Sequence, residues 1–260
     1  MAARFVLLFS TVDTIAVSCR SDATADLLRE FYSPRCLPGA AADDPLFELD
    51  GPDADGCFSL TGSHSFWRGP GATALVVELQ IRIDSYLLER TPYVPIHAGA
   101  VAVGERALLV PGMSRTGKSS LVAALIARGA TYLSDEYALL DDEGHVHPYP
   151  RPLLLRVPGS VPEERTAVPA ARLAESIASS PADVSAIAAV CYSDQTEFVL
   201  ERVPASEGVL YLLQNTPRVV RDDDRTVTAA MRALRTARVY RGRRGDAEAA
   251  VEPLLALLAE

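Results

Sequence analysis

At 260 residues the chain has room for one or two domains of about 150 residues each, and it buries enough surface to fold without disulfide or metal staples. Hydrophobic residues make up 48% and charged residues 23%, values that exclude a disordered chain, a collagen-like repeat and a coiled coil. A net charge of −9 and a pI near 5.0 speak against a nucleic-acid partner, because such binders carry a basic surplus or stripe.

The N-terminal run MAARFVLLFSTVDTIAV alternates like strands and lacks the long apolar core and cleavage site of a signal peptide. Within it, Phe5–Phe9 and Thr14–Cys19 read as strands. Ser21 or Asp22 then caps a helix over Ala23–Tyr32, with Leu27, Leu28 and Phe31 on one face. Residues 33–56 are rich in Pro, Gly and Asp around one apolar patch, Leu46–Leu49. Cys57–Thr61 and Ser65–Arg68 read as further strands of a small sheet, and the spacing of Leu75, Val76, Leu79, Ile83, Tyr86 and Leu87 predicts a helix over Ala72–Leu88. These elements suggest a small α/β domain over residues 1–90, followed by a second domain over 91–260.

In the second domain Pro95–Val103 and Arg106–Val110 are apolar strands, Lys118–Arg128 a helix ending at Gly129, and Thr131–Leu133 a short strand. Tyr137–Leu140 and Val146–Tyr149 flank a turn at Asp141–Gly144. Residues 157–169, with three prolines, read as a mobile loop. Beyond them come a helix over Ala170–Ala178, strands over Ser185–Tyr192 and Glu197–Val203, a helix over Asp223–Arg235, a strand over Ala237–Tyr240 and a terminal helix over Asp246–Leu258. Interleaved strands and helices predict α/β layering. The cysteines, Cys19, Cys36, Cys57 and Cys191, include no C-x-x-C pair and read as incidental thiols. No run of about 20 apolar residues exists for a membrane span, so no membrane partner is expected and the expected compartment is the cytoplasm.

The sharpest signal is Gly112-Met113-Ser114-Arg115-Thr116-Gly117-Lys118-Ser119, the G-x-x-x-x-G-K-S pattern known as Walker A or P-loop. Its glycines let backbone N–H groups turn inward around phosphate oxygens. The helix that starts at Lys118 adds its positive end, helped by the amides through Ser120. Lys118 then pairs with β- and γ-phosphates, and the Ser119 hydroxyl is a ligand for Mg²⁺. The motif stands between an expected strand and an expected helix, as the chemistry requires. One crossover later comes Asp135-Glu136. A parallel strand–helix–strand unit would bring this acidic pair to the same sheet end as the loop, one carboxylate for Mg²⁺ and one for an acceptor proton. His97 lies on the strand before the loop strand. His64, His145 and His147 read as surface residues, the last two sharing a strand face without an evident third metal ligand.

His97-Ala98-Gly99-Ala100, the P-loop and Leu133-Ser134-Asp135-Glu136, in that order, resemble the HPr kinase/phosphorylase-like kinases over roughly residues 90–156. The shorter HPr-kinase-related proteins, including those found beside peptide-tailoring genes, are the nearest in pattern, and their Ser-Asp-Glu and Arg-Pro elements resemble Ser134–Glu136 and Arg151-Pro152. The resemblance implies the α/β kinase core shared with phosphoenolpyruvate carboxykinase. It implies an ATP- and Mg²⁺-dependent transfer to a hydroxyl, most of all a serine of a peptide or small protein. It makes Asp135 the general base, His97 its support and Glu136 an aid to the metal, and it allows a homo-oligomer. A small-metabolite kinase and a non-catalytic ATP-binding module stay open as alternatives. Arg115 stands where relatives have an inner glycine; it is either an arginine finger for the γ-phosphate or an outward, solvated side chain. No counterpart to the family's Glu-Ile-Arg-Gly-Leu-Gly segment follows the acidic pair, although Arg151 and Arg156 fall in that region and are candidates for phosphate or acceptor binding. The runs Arg221–Arg225 and Arg238–Arg244 read as solvated surface, with a dock for an acidic peptide as the alternative.

Overall fold

The computed structural model describes residues 3–9, 13–33, 35–38, 45–113, 116–156, 165–193, 197–217 and 223–259. In chain order the elements are strands β1 (Ala3–Phe9) and β2 (Asp13–Cys19), helix α1 (Asp22–Tyr32), strands β3 (Cys36–Pro38), β4 (Phe47–Asp50), β5 (Cys57–Gly62) and β6 (Ser65–Pro70), and helix α2 (Ala72–Leu88). Next come β7 (Val94–Val103), β8 (Arg106–Pro111), α3 (Lys118–Ala127), β9 (Thr131–Ser134), β10 (Tyr137–Leu140), β11 (His145–His147), β12 (Leu153–Arg156) and β13 (Arg165–Val168). After a single 3-10 turn at Ala170–Arg172 follow β14 (Ala182–Tyr192), β15 (Val199–Val203), α4 (Ala205–Gln214), α5 (Asp223–Ala233), β16 (Arg238–Arg244) and α6 (Ala247–Ala259).

Contacts divide this α/β chain into two units, Met1–Arg90 with Arg151–Ala171 and Thr91–Pro150 with Arg172–Glu260. The boundary at residue 90 is where the composition changes, but residues 151–171 go with the first unit instead of the second. The first unit is built on a six-stranded sheet in the order β3-β1-β2-β4-β5-β6, antiparallel except for β2 and β4. The parallel pair needs a crossover, which α1 supplies. Ser21 starts that helix by accepting a hydrogen bond from the Thr24 N–H. Along α2, Leu75, Leu79, Ile83 and Leu87 are buried, the three-to-four spacing that turns one helix face inward.

The second unit holds an eight-stranded sheet in the order β11-β10-β7-β8-β14-β16-β15, with β9 also on β7. Side-chain alternation assigns the helices to its faces. Ala107 and Leu109 of β8 share a cluster with Leu212 of α4 and Ala229, Ala230 and Ala233 of α5. Leu108 and Val110 point the other way, toward the side on which α6 packs against β8 and α3 against β7. Gly99 makes that approach close: a Cβ there would stand 2.5 Å from Cγ2 of Val122 in α3. Strands β8 and β9 run in the same direction, as the strand–helix–strand expectation requires. They are not neighbours, however, because β7 lies between them and is antiparallel to both.

The helix expected over Ala170–Ala178 is reduced to the 3-10 turn. The Tyr132 N–H donates to the Ser176 carbonyl and the Ala178 N–H to the Tyr132 carbonyl, both at 2.9 Å. These bonds draw the segment out beside β9, and a helix of two turns has little propensity with which to resist. Of the expected loop 157–169, Arg165–Val168 is a strand paired with β12, and 157–164 lie outside the described residues. Helix α4 follows Pro204, with Glu207 in its first turn, start signals that the apolar run after them obscures. Among the described residues no helix is long and apolar enough to cross a membrane.

Candidate functional site

Strand β7 organises the site. Its first half pairs on one edge with β10 and its second half, on the same edge, with β9, so that Tyr137 faces His97 and Ser134 faces Ala100. Strands β9 and β10 are thus one ribbon interrupted at Asp135-Glu136, and the interruption lies opposite Ala98 and Gly99. The Ser134 hydroxyl accepts from the N–H groups of Glu136 and Tyr137 at 3.4 and 3.2 Å, which fixes the bend. On the other edge of β7, β8 ends at Pro111 opposite Ala98, and the Gly112 N–H donates to the His97 carbonyl at 3.2 Å. His97 is therefore held between the start of the glycine loop and the acidic pair.

The side chains converge in the same place. His97 Nε2 lies 2.6 Å from Glu136 Oε1 and 3.5 Å from Lys118 Nζ. One ring nitrogen cannot donate to the carboxylate and accept from the ammonium together, and the contact to Glu136 is the shorter by far. The ammonium instead donates to the Gly112 carbonyl at 2.6 Å and the Met113 carbonyl at 3.2 Å, which folds the lysine back across its own loop. Lys118 is buried, whereas the Glu136 side chain is 30% exposed. Asp135 is at 1% exposure and accepts from the Tyr132 hydroxyl at 3.2 Å. The carboxylate at hydrogen-bond distance from His97 is that of Glu136.

The loop itself ends in a cradle. Gly117, with φ of 81°, is left-handed and caps α3 without any side-chain hydrogen bond. The first N–H groups of a helix have no partner within the helix, so Lys118, Ser119 and Ser120 present theirs at this end. Thr116 closes the loop through its hydroxyl, which donates to the Met113 carbonyl at 2.9 Å. Substituents would fill the space: a Cβ on Gly112 would lie 2.8 Å from the Thr116 hydroxyl, and one on Gly117 2.5 Å from a guanidinium nitrogen of Arg244. An uncapped helix start, a buried lysine and glycines whose Cβ would clash fit a bound phosphate. Ser119 and the acidic pair offer the hard oxygen donors that Mg²⁺ prefers.

Ser114 and Arg115 lie outside the described residues, so both readings of Arg115 stay where the sequence left them. Arg151 and Arg156 belong to the first unit, where Arg151 is buried with Nη1 2.6 Å from Asp84 Oδ2, and Arg156 is an exposed strand end facing Arg165. His64 is exposed, as expected. His147 is not a surface residue: its Nε2 is 2.9 Å from Asp141 and its ring stacks on Tyr93 at 4.0 Å. Among the described residues no group of three His, Cys, Asp or Glu side chains has a metal-binding arrangement.

Arg244 escaped the sequence reading. It is no solvated arginine but 2% exposed, with Nη2 donating to the Gly117 carbonyl at 2.6 Å. Burial pushes its guanidinium below the ordinary value, with Tyr192 and Asp246 acting in the opposite sense. Only the parallel register of β14 and β16, which sets Arg244 beside Tyr192, places it under the loop.

No family model and no curated protein matches this chain. Among solved structures it is similar to the Hpr(Ser) kinase/phosphatase from Coxiella burnetii, with 14% identity and a TM-score of 0.36 over 62% of this chain and 93% of that one.

Proposed function

We propose that the second unit is a nucleotide-dependent kinase that transfers a phosphoryl group to a hydroxyl. The observation that carries this reading is that Lys118 and Glu136 each come within hydrogen-bonding reach of His97 at the mouth of an uncapped, glycine-bounded helix start. When bound, ATP with Mg²⁺ would supply the γ-phosphoryl group and neutralise part of its charge. The loop amides and the start of α3 hold the phosphates. Lys118, folded across the loop, turns from the Gly112 and Met113 carbonyls to the phosphate oxygens. Ser119 and Asp135 would hold the metal.

Glu136 takes the proton of the acceptor hydroxyl on its carboxylate. Its exposure gives an acceptor access, whereas Asp135 is at 1% exposure and already accepts from the Tyr132 hydroxyl. His97 grips Oε1, orients the carboxylate and offsets the charge that the lysine and the proton transfer move about. The acceptor class is a peptide or small-protein serine, with a free metabolite as the other source of the hydroxyl.

The test uses γ-labelled ATP with Mg²⁺ and a size-fractionated lysate. Wild type should label one fraction, protein or small molecule, which names the acceptor class. Lys118→Ala should lose both nucleotide binding and transfer. Glu136→Gln should lower transfer by about 10²–10⁴-fold, the range of a positioned general base, with binding kept. Transfer by Glu136→Gln at the wild-type rate moves the base elsewhere, with Asp135→Asn as the comparison. ATP bound without transfer to any fraction supports a binding module, and absence of ATP binding removes the nucleotide reading.

A further inference from the structure

The carboxyl ends of β8, β14 and β16 lie at one end of the sheet, because the three strands are parallel. Two consecutive carbonyls of the glycine loop are anchored there. The Tyr192 N–H donates to the Thr116 carbonyl at 3.2 Å, and Arg244 Nη2 donates to the Gly117 carbonyl at 2.6 Å. The anchors are themselves tied together, since the Ser193 N–H donates to the Arg244 carbonyl at 2.8 Å. The Gly117 oxygen also accepts the first α3 bond from the Leu121 N–H at 3.1 Å, so it is held from two directions. A peptide unit is planar and trans. Fixing the Gly117 carbonyl therefore aims the Lys118 N–H the opposite way, out of the helix start and into the cradle. Gly117 has the freedom to lose that aim, because a glycine at positive φ has little steric reason to stay there.

Arg244 is also an unusual ion. It is almost wholly buried, its Nη1 donates to the Gly245 carbonyl at 2.8 Å, and its Nε has no hydrogen-bond partner. Among the described residues no carboxylate makes a direct ion pair with it; Asp246 acts on it only at longer range. Among the described residues the hydrogen bonds of this cation go to carbonyl oxygens, and it stands directly under the loop.

We propose that Arg244 is the positioning residue for polyphosphate binding: it locks the Gly117 carbonyl so that the Lys118 amide faces the phosphate, and its buried positive charge attracts the anion. The inference rests on the nucleotide reading above. It also explains why position 117 excludes a side chain twice over, through φ and through the 2.5 Å approach of Nη2 to a would-be Cβ.

The experiment measures binding of MgATP and of inorganic pyrophosphate to the full chain by calorimetry, with circular dichroism and melting to check the fold. Arg244→Ala should weaken both ligands by about tenfold to a hundredfold, the range of one charge-assisted hydrogen bond. Millimolar guanidinium should restore most of that loss in Arg244→Ala and leave wild type unchanged, which a merely structural arginine would not show. Arg244→Lys keeps the charge but cannot bridge the Gly117 and Gly245 carbonyls, so it should fall between wild type and Arg244→Ala. Where Arg244→Ala fails to fold, the lysine variant decides. A folded variant that binds pyrophosphate as tightly as wild type overturns the inference and leaves the nucleotide reading standing. Wild type that binds neither ligand overturns the nucleotide reading itself.

Discussion

Arg151 and Arg244 are both buried guanidiniums, and the chain compensates them in different ways. Arg244 has the carbonyl oxygens of Gly117 and Gly245. Arg151 has a carboxylate, Asp84, whose second oxygen accepts from Gln80 Nε2 at 2.7 Å. The arrangement is closed around that pair. Burial, reinforced by the Asp84 charge, pushes the Tyr32 hydroxyl above its ordinary range, and Tyr32 Oη and Gln80 Oε1 have no hydrogen-bond partner. A buried ion pair contributes little net stability, but breaking it is costly because one charge stays behind. Asp84→Ala should therefore cost about 3–5 kcal/mol in urea unfolding, whereas Asp84→Leu with Arg151→Met should cost far less. Equal losses in the single and double variants would show that Asp84 acts through packing alone.

At the scale of elements, the turn between β10 and β11 is an electrostatic knot. Asp141 Oδ1 accepts from the N–H groups of Glu143 and His145, both at 2.9 Å, and Oδ2 meets His145 Nδ1 at 3.1 Å and His147 Nε2 at 2.9 Å. Burial works against ionisation, but the bonds from His147 and His145 outweigh it and hold the carboxyl down to about 2, from an ordinary 3.8. A carboxyl depressed on folding contributes stability above its unfolded value and loses it as pH falls through its folded one. Asp141→Asn should thus be less stable than wild type by on the order of 2 kcal/mol at pH 7, the gap closing as pH falls from about 4 to about 2. Denaturant unfolding of both proteins across that window measures it; a gap independent of pH would mean that the carboxylate's charge contributes nothing. Elements also mark how far the sequence can be read. The loop, its strand and α3 were legible because glycine spacing and apolar runs are local signals. The insertion of β7 between β8 and β9, the ribbon broken at the acidic pair and the seat of Arg244 were not, since each depends on pairing between residues far apart in the chain.

At the scale of the whole molecule, the chain leaves the second unit after Pro150, returns to the first for Arg151–Ala171, and crosses back at Arg172. The first unit is therefore discontinuous in sequence, which no composition shift announced. Its later segment is no appendage: β13 packs on α2, and Arg151 supplies the charge that Asp84 requires. Residues 1–90 alone keep the six-stranded sheet and both helices but leave a carboxylate on a buried helix face without its arginine. Unpaired buried charge and lost apolar cover are each worth several kcal/mol, a large share of the roughly 5–15 kcal/mol that holds a domain together. Residues 1–90 expressed alone should show no cooperative melting transition. The same residues joined to 151–171 through a flexible glycine-serine linker should regain one, with Asp84→Ala abolishing the gain. If residues 1–90 melt cooperatively at the temperature of the joined protein, the returning segment is ornament and the unit closes on its N-terminal sheet.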